Sequence, residues 1–114
     1  MSTDNLSSHI SQRFDEELSA VKSQLFEMGG IVEKQVSDSI KSLLDADSSI
    51  AENVVKDDKA INKMEVSVDE DCALILARRQ PAASDLRLVL TIIKTTTDLE
   101  RIGDEARKIA KQAI

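Results

Sequence analysis

The chain has 114 residues, 32% of them charged and 41% apolar, with a formal charge of −6, three Gly, one Pro and one Cys. So few breakers exclude an all-β fold with its many tight turns, and the acidic balance without a basic stripe excludes nucleic acid as a partner. A lone Cys72 excludes an internal disulfide and fits a reducing cytosol.

No apolar run approaches the ~20 residues of a membrane span, and no charged-then-apolar leader opens the chain. A cytoplasmic protein without direct membrane insertion is therefore expected. Phe14 and Phe26 are the only aromatic residues, so the core must come from Leu, Ile, Val, Met and Ala. That is the usual filling of helix bundles, and an all-α fold follows.

Met1–Asn5 is polar and expected to be frayed. From Phe14 the apolar residues fall at Leu18, Val21, Leu25, Met28, Val32, Val36, Ile40 and Leu43, in steps of three and four that predict one long amphipathic helix. A helix of roughly 35–40 residues spans nearly 60 Å, which points to coiled-coil-like packing. Gly29–Gly30 interrupts the stripe and predicts a close helix approach or a kink.

The first break is Asp45–Ser49, where Asp47 or Ser48 can cap the next helix, with Glu52 strengthening the signal. Helix two carries Ile50, Val54, Ile61, Met64, Val68, Cys72, Ile75 and Leu76 inward. It ends near Arg79–Gln80, because the residue before Pro81 is pushed away from helical geometry. Helix three restarts over Pro81–Ser84 and presents Leu86, Val89, Ile92, Ile93, Thr96, Leu99, Ile102, Ala106, Ile109 and Ala113. The architecture predicted over residues 1–114 is a single antiparallel bundle of three long helices.

Two Glu-x-x-x-Asp pairs, Glu65/Asp69 and Glu100/Asp104, fall on sequential antiparallel helices. At 3.6 residues per turn Glu65 lies about 40° from Ile61 and about 20° from Cys72, inside the apolar arc. Glu100 borders the next helix's stripe, and Asp69 and Asp104 drift outward. Carboxylates in such places carry a desolvation cost and need a partner. Four hard oxygen donors suit Mg, Ca or Mn, with Fe or Zn also in range. Reflected about a turn near residue 82, the two pairs are offset by roughly one helical turn. Ordinary ion pairs to Arg101, Arg107 or Lys63 are the competing reading, worth a few tenths of a kcal/mol each.

Other features carry less. His9 is the only histidine, and a helical phosphotransfer or scaffold bundle built around it is the alternative to a regulator; it sits at the start of helix one rather than in mid-helix. A di-iron oxidase would need Glu-x-x-His pairs, and none exist. Cys72 reads as a small core residue. Arg78, Arg79 and Arg87 gather at one end, either beside a helix C-terminal dipole or as a contact patch for a partner. No nucleophile–base pair or Gly-rich phosphate cradle is present, so no enzyme is expected.

Several blocks together resemble the PhoU family, cytoplasmic accessory and signalling proteins of bacterial phosphate-specific transport. They are His9–Ser11 with Phe14, Met28–Gly30 followed by Val32–Glu33, Ile61–Asn62 with Met64–Glu65, and Asp69. They continue through Arg79–Pro81, Ser84–Arg87 and Asp98–Asp104. The resemblance implies two tandem three-helix units, each with a pair of (Glu/Asp)-x-x-x-Asp motifs able to hold a metal cluster. In this sequence those motifs fall on Glu65, Asp69, Glu100 and Asp104, with Fe, Mn, Mg or Zn as the cation. It implies a non-enzymatic repressor of the phosphate-starvation response, acting on the transporter's ATPase subunit and a sensor histidine kinase. Only one unit is present, so the chain is expected to be half of a two-repeat protein. Its stripe would then be incompletely covered, and a homodimer is expected.

Overall fold

A computed structural model describes the backbone from Thr3 to Ile114 and side chains from Ser11 onward. Three helices make up the fold: α1 (Thr3–Leu44), α2 (Ser48–Arg79) and α3 (Ala83–Lys111). They pack into a rod of 66 × 20 × 16 Å in which every helix touches both others. The predicted antiparallel three-helix bundle is the fold, although α1 already opens at Thr3, inside the segment expected to be frayed.

The breaks fall where the local chemistry requires them. Ala46 adopts a left-handed φ of 52°, which ends α1. The Asp47 amide then donates back to the Ser42 carbonyl at 2.9 Å, satisfying one of the free carbonyls of the last turn. The Asp47 carboxylate caps α2 by accepting from the Ser49 and Ile50 amides. Gln80 closes α2 immediately before Pro81, where helical geometry is disfavoured, and does so in the left-handed region with φ of 45° rather than in the extended geometry usual before proline.

The inward-facing positions follow a strict alternation of three and four, the 3.5-residue repeat of a coiled-coil seam. On α1 the seam runs from Phe14 through Met28 to Val32 and then takes Gln35, Ser39 and Ser42, all three buried. The apolar residues expected there, Ile40 and Leu43, are instead 46% and 48% exposed. The same slip occurs elsewhere. Ala51 rather than Ile50 is buried at the start of α2, and Gly103 rather than Ile102 on α3; Leu86 too is exposed.

The buried polar residues at this end of the rod are satisfied by backbone carbonyls. Gln35 Nε2 donates to the Val54 carbonyl at 2.8 Å, and the Ser39 and Ser42 hydroxyls donate to carbonyls three residues back. The Gly29–Gly30 step is not a close approach: a Cβ at either position would meet nothing within 4 Å. The close approach is at Gly103, where a Cβ would stand 3.0 Å from Ile61 Cδ1.

Candidate functional site

The seam repeat places charged groups where a coiled coil would put apolar ones. On α2 the successive seam positions are Ala51, Val54, Asp58, Ile61, Glu65, Val68, Cys72 and Ile75, so two of eight are acids. Asp69 follows Val68 by one residue, and Glu100 and Asp104 likewise follow Leu99 and Gly103. All three sit on the shoulder of the seam, half-buried.

Glu65 and Glu100 face each other across α2 and α3. Burial pushes the Glu65 carboxyl above its ordinary range, and the charges of Glu100 and Asp69 push it further in the same direction. Asp69 Oδ1 is buried and accepts no hydrogen bond. These three carboxylates form one region of concentrated negative charge. Cys72, next along the seam, lies within the same field. Its thiol is pushed up to about 11, first by burial and then by the charges of Asp69 and Asp71. A thiol so placed stays protonated and unreactive at neutral pH, in keeping with a core role.

Asp104 lies elsewhere. α2 runs toward the α2–α3 turn and α3 runs away from it, so a four-residue step carries Asp69 and Asp104 in opposite directions from the facing Glu65 and Glu100. This is the one-turn offset expected from the sequence. Asp104 comes level with Asp58, whose carboxyl is raised chiefly by burial and also by the Asp104 charge. Arg107 stands between them, with its guanidinium 2.5 Å from Asp104 Oδ1 and 3.4 Å from Asp58 Oδ2. Lys108 adds a second contact to Asp104 at 3.3 Å. These hydrogen bonds hold the Asp104 carboxyl below its ordinary range.

The four predicted carboxylates therefore divide into three that share one field and a fourth held by cations of the protein itself. Among the described residues no three His, Cys, Asp or Glu side chains converge as a preformed cage for a metal ion. In chemistry the donors fit a hard cation: all are carboxylates, one oxygen is orphaned in the interior, and Glu65 is strained by its like-charged neighbours. Asp58 belongs to an Asp57-Asp58 pair in a chain where acids are common, so its residue type alone carries no signal of burial. Counting the seam back from Ile61 in a three-and-four alternation would have found it.

At the turn end, Arg79 is neither a free patch nor merely a dipole partner. It reaches α1 and pairs with Glu17 at 2.6 Å, lowering the Glu17 carboxyl's pKa. Arg78 and Arg87 remain exposed. The His9 side chain lies outside the described residues. No helix among the described residues is long and apolar enough to cross a membrane.

Residues 25–113 match the model of the PhoU domain. The chain is 59% identical over 111 residues to the phosphate-specific transport system accessory protein PhoU homolog of Pseudomonas aeruginosa, covering 97% of this chain and 46% of that protein. It is 51% identical over 110 residues to the accessory protein PhoU of Escherichia coli K12, covering 96% and 46%. The crystal structure of PhoU from Pseudomonas aeruginosa superposes with a TM-score of 0.87 at 58% identity, covering 89% of this chain and 48% of that one. The chain thus spans about half the length of the curated relatives it matches.

Proposed function

The chain belongs to the PhoU domain family, and from that premise we propose that it is a non-enzymatic cytoplasmic regulator of phosphate uptake and phosphate-starvation signalling. The observation that carries this reading is identity above 50%, over nearly the whole chain, to accessory proteins of phosphate-specific transport. In this reading residues 1–114 are one three-helix unit of an architecture that uses two. It acts by contact with the transporter's ATPase subunit and with the sensor histidine kinase.

The protein's surface suits a contact role. Phe26 is 81% exposed and Leu44 79%, two large apolar side chains standing free on the surface of α1. Self-association as a homodimer belongs to the same proposal. Co-purification with the tagged ATPase subunit or with the kinase's cytoplasmic domain is the expected result. Failure to retain either partner, when a two-unit relative retains both, would contradict it.

The second part of the proposal is a carboxylate site for a divalent or trivalent cation such as Mn, Mg, Fe or Zn. Glu65, Asp69 and Glu100 would hold it, with Asp104 joining from the neighbouring turn. A bound cation supplies positive charge that offsets repulsion among these acids and ties α2 to α3. The residues' own contribution is to keep a patch of hard oxygen donors half-buried on two rigid helices. The orphaned Asp69 Oδ1 and the raised Glu65 carboxyl support this reading.

A further inference from the structure

Arg107 follows the buried Ala106 by one position and turns its guanidinium inward between α2 and α3. Its Nε faces Asp58 Oδ2 at 3.4 Å while its terminal amine holds Asp104 Oδ1 at 2.5 Å. The Asp58 side chain is only 10% exposed, and its Oδ1 is buried without any donor. Gly103 packs beside it: a Cβ there would stand 3.6 Å from that same oxygen, at ordinary contact distance. A buried acid with one oxygen unsatisfied and one weakly held is an incompletely neutralised charge; Arg107 pairs with it from α3, and Lys111 on the same helix adds a more distant positive charge.

One guanidinium therefore serves two acids on two helices, and its shorter bond goes to Asp104. We propose that Arg107 is a built-in counter-ion that competes with a divalent cation for Asp104. This inference rests on the cation site proposed above and names its control. When Arg107 holds Asp104, the face offers Glu65, Asp69 and Glu100 alone. When Arg107 swings fully onto Asp58, whose free oxygen can accept it, Asp104 is released as a further ligand. Asp58 is thus the alternative seat of the guanidinium and a positioning residue for the site.

Lys108 also touches Asp104, but it is 56% exposed and shared with Glu105. A solvated pair of that kind adds little and exchanges readily. The gate is assigned to Arg107, and Lys108 provides the control for a simple loss of positive charge.

The test is titration with Mn²⁺, following the free ion by electron paramagnetic resonance. Arg107→Gln should bind Mn²⁺ about tenfold more tightly than wild type, the scale set by removing one positive charge a few ångströms from the ligand. Lys108→Gln should bind as wild type does, and adding Asp104→Asn to Arg107→Gln should reverse the gain. If Arg107→Gln unfolds because Asp58 is left without a counter-ion, Asp58→Asn with Arg107→Gln removes both charges and should show the same gain.

Equal affinity of wild type and the Arg107 variants, with binding lost in Glu65→Gln, overturns the gate and leaves the cation site standing. An equal gain in Lys108→Gln also overturns the gate. Absence of Mn²⁺ binding in every variant overturns both the gate and the site.

Discussion

Glu65 is the residue on which the local electrostatics turn. It holds a seam position between Ile61 and Val68, and burial together with Glu100 and Asp69 raises its carboxyl above the ordinary 4.5. The sign follows directly. An acid with a raised folded-state pKa destabilises the fold once it ionises, so its cost appears as pH climbs above 4.5 and is absent below. Without metal, Glu65→Gln should be more stable than wild type at pH 7 by roughly 0.5 kcal/mol, the scale of one like-charge neighbour. The advantage should vanish on acidification below the ordinary carboxylate value; urea melts across that range would check it. A variant equally or less stable at pH 7 would show that Glu65 makes a favourable contact instead.

Glycine makes a second contrast at this scale. Gly29 lies mid-helix with open space around its missing Cβ, so Gly29→Ala should raise stability by about 0.5–1 kcal/mol. Gly103 meets Ile61 at 3.0 Å, and Ile61 is fully buried among Met28 and Val32. Gly103→Val should cost about 1–3 kcal/mol. Thermal melts that ranked the two substitutions the other way would contradict the packing described here.

At the scale of the helices, their number and the two breaks between them are legible in the sequence, the start of α1 is not, and the inward face is legible only in part. Asp47, Pro81 and the apolar spacing marked three helices, because caps and proline act locally. The stripe of α1 was followed correctly from Phe14 to Val32 and then lost by one residue. Val36 still packs at the edge of the core, but hydrophobicity points on to the exposed Ile40 and Leu43, whereas the 3.5-residue repeat continues through Gln35, Ser39 and Ser42. Polar side chains that satisfy themselves on nearby carbonyls can occupy a seam, and no apolar pattern announces them. Asp58 and Gly103 hold seam positions without being apolar, so the pattern passes over them as well, although Asp58 Oδ1 stays without a donor.

The consequence is measurable. Ile40→Ser and Leu43→Ser should each change stability by no more than about 0.5 kcal/mol, while Ser39→Leu should cost about 1–3 kcal/mol by overpacking. Chemical denaturation of the three variants decides between the two faces.

The candidate site follows the same division. Two equal spacings on antiparallel helices and their offset by one turn were readable from register alone. That Asp104 is drawn to Arg107 and Asp58 was not, because it depends on which of several nearby cations reaches it in three dimensions.

Considered whole, the molecule is a 66 Å rod whose interior carries acids at two places along α2 and α3. Its exterior carries separate apolar side chains, of which Phe26 and Leu44 are the most exposed. Sedimentation equilibrium should show a dimer that Phe26→Ser or Leu44→Ser weakens, and a monomer at every concentration would count against self-association.

The proposed cation site lies between the carboxylates of the α2–α3 seam. The direct measurement is the melting temperature of wild type and of Glu65→Gln with Glu100→Gln, each with and without millimolar Mn²⁺. Binding to the folded state alone raises stability by mass action. A cation bound there gives a metal-dependent rise in wild type and none in the double variant, which without metal should melt at or above the wild-type temperature. A wild-type melting temperature unmoved by Mn²⁺, with the double variant melting lower, would mean that these acids serve ordinary ion pairs.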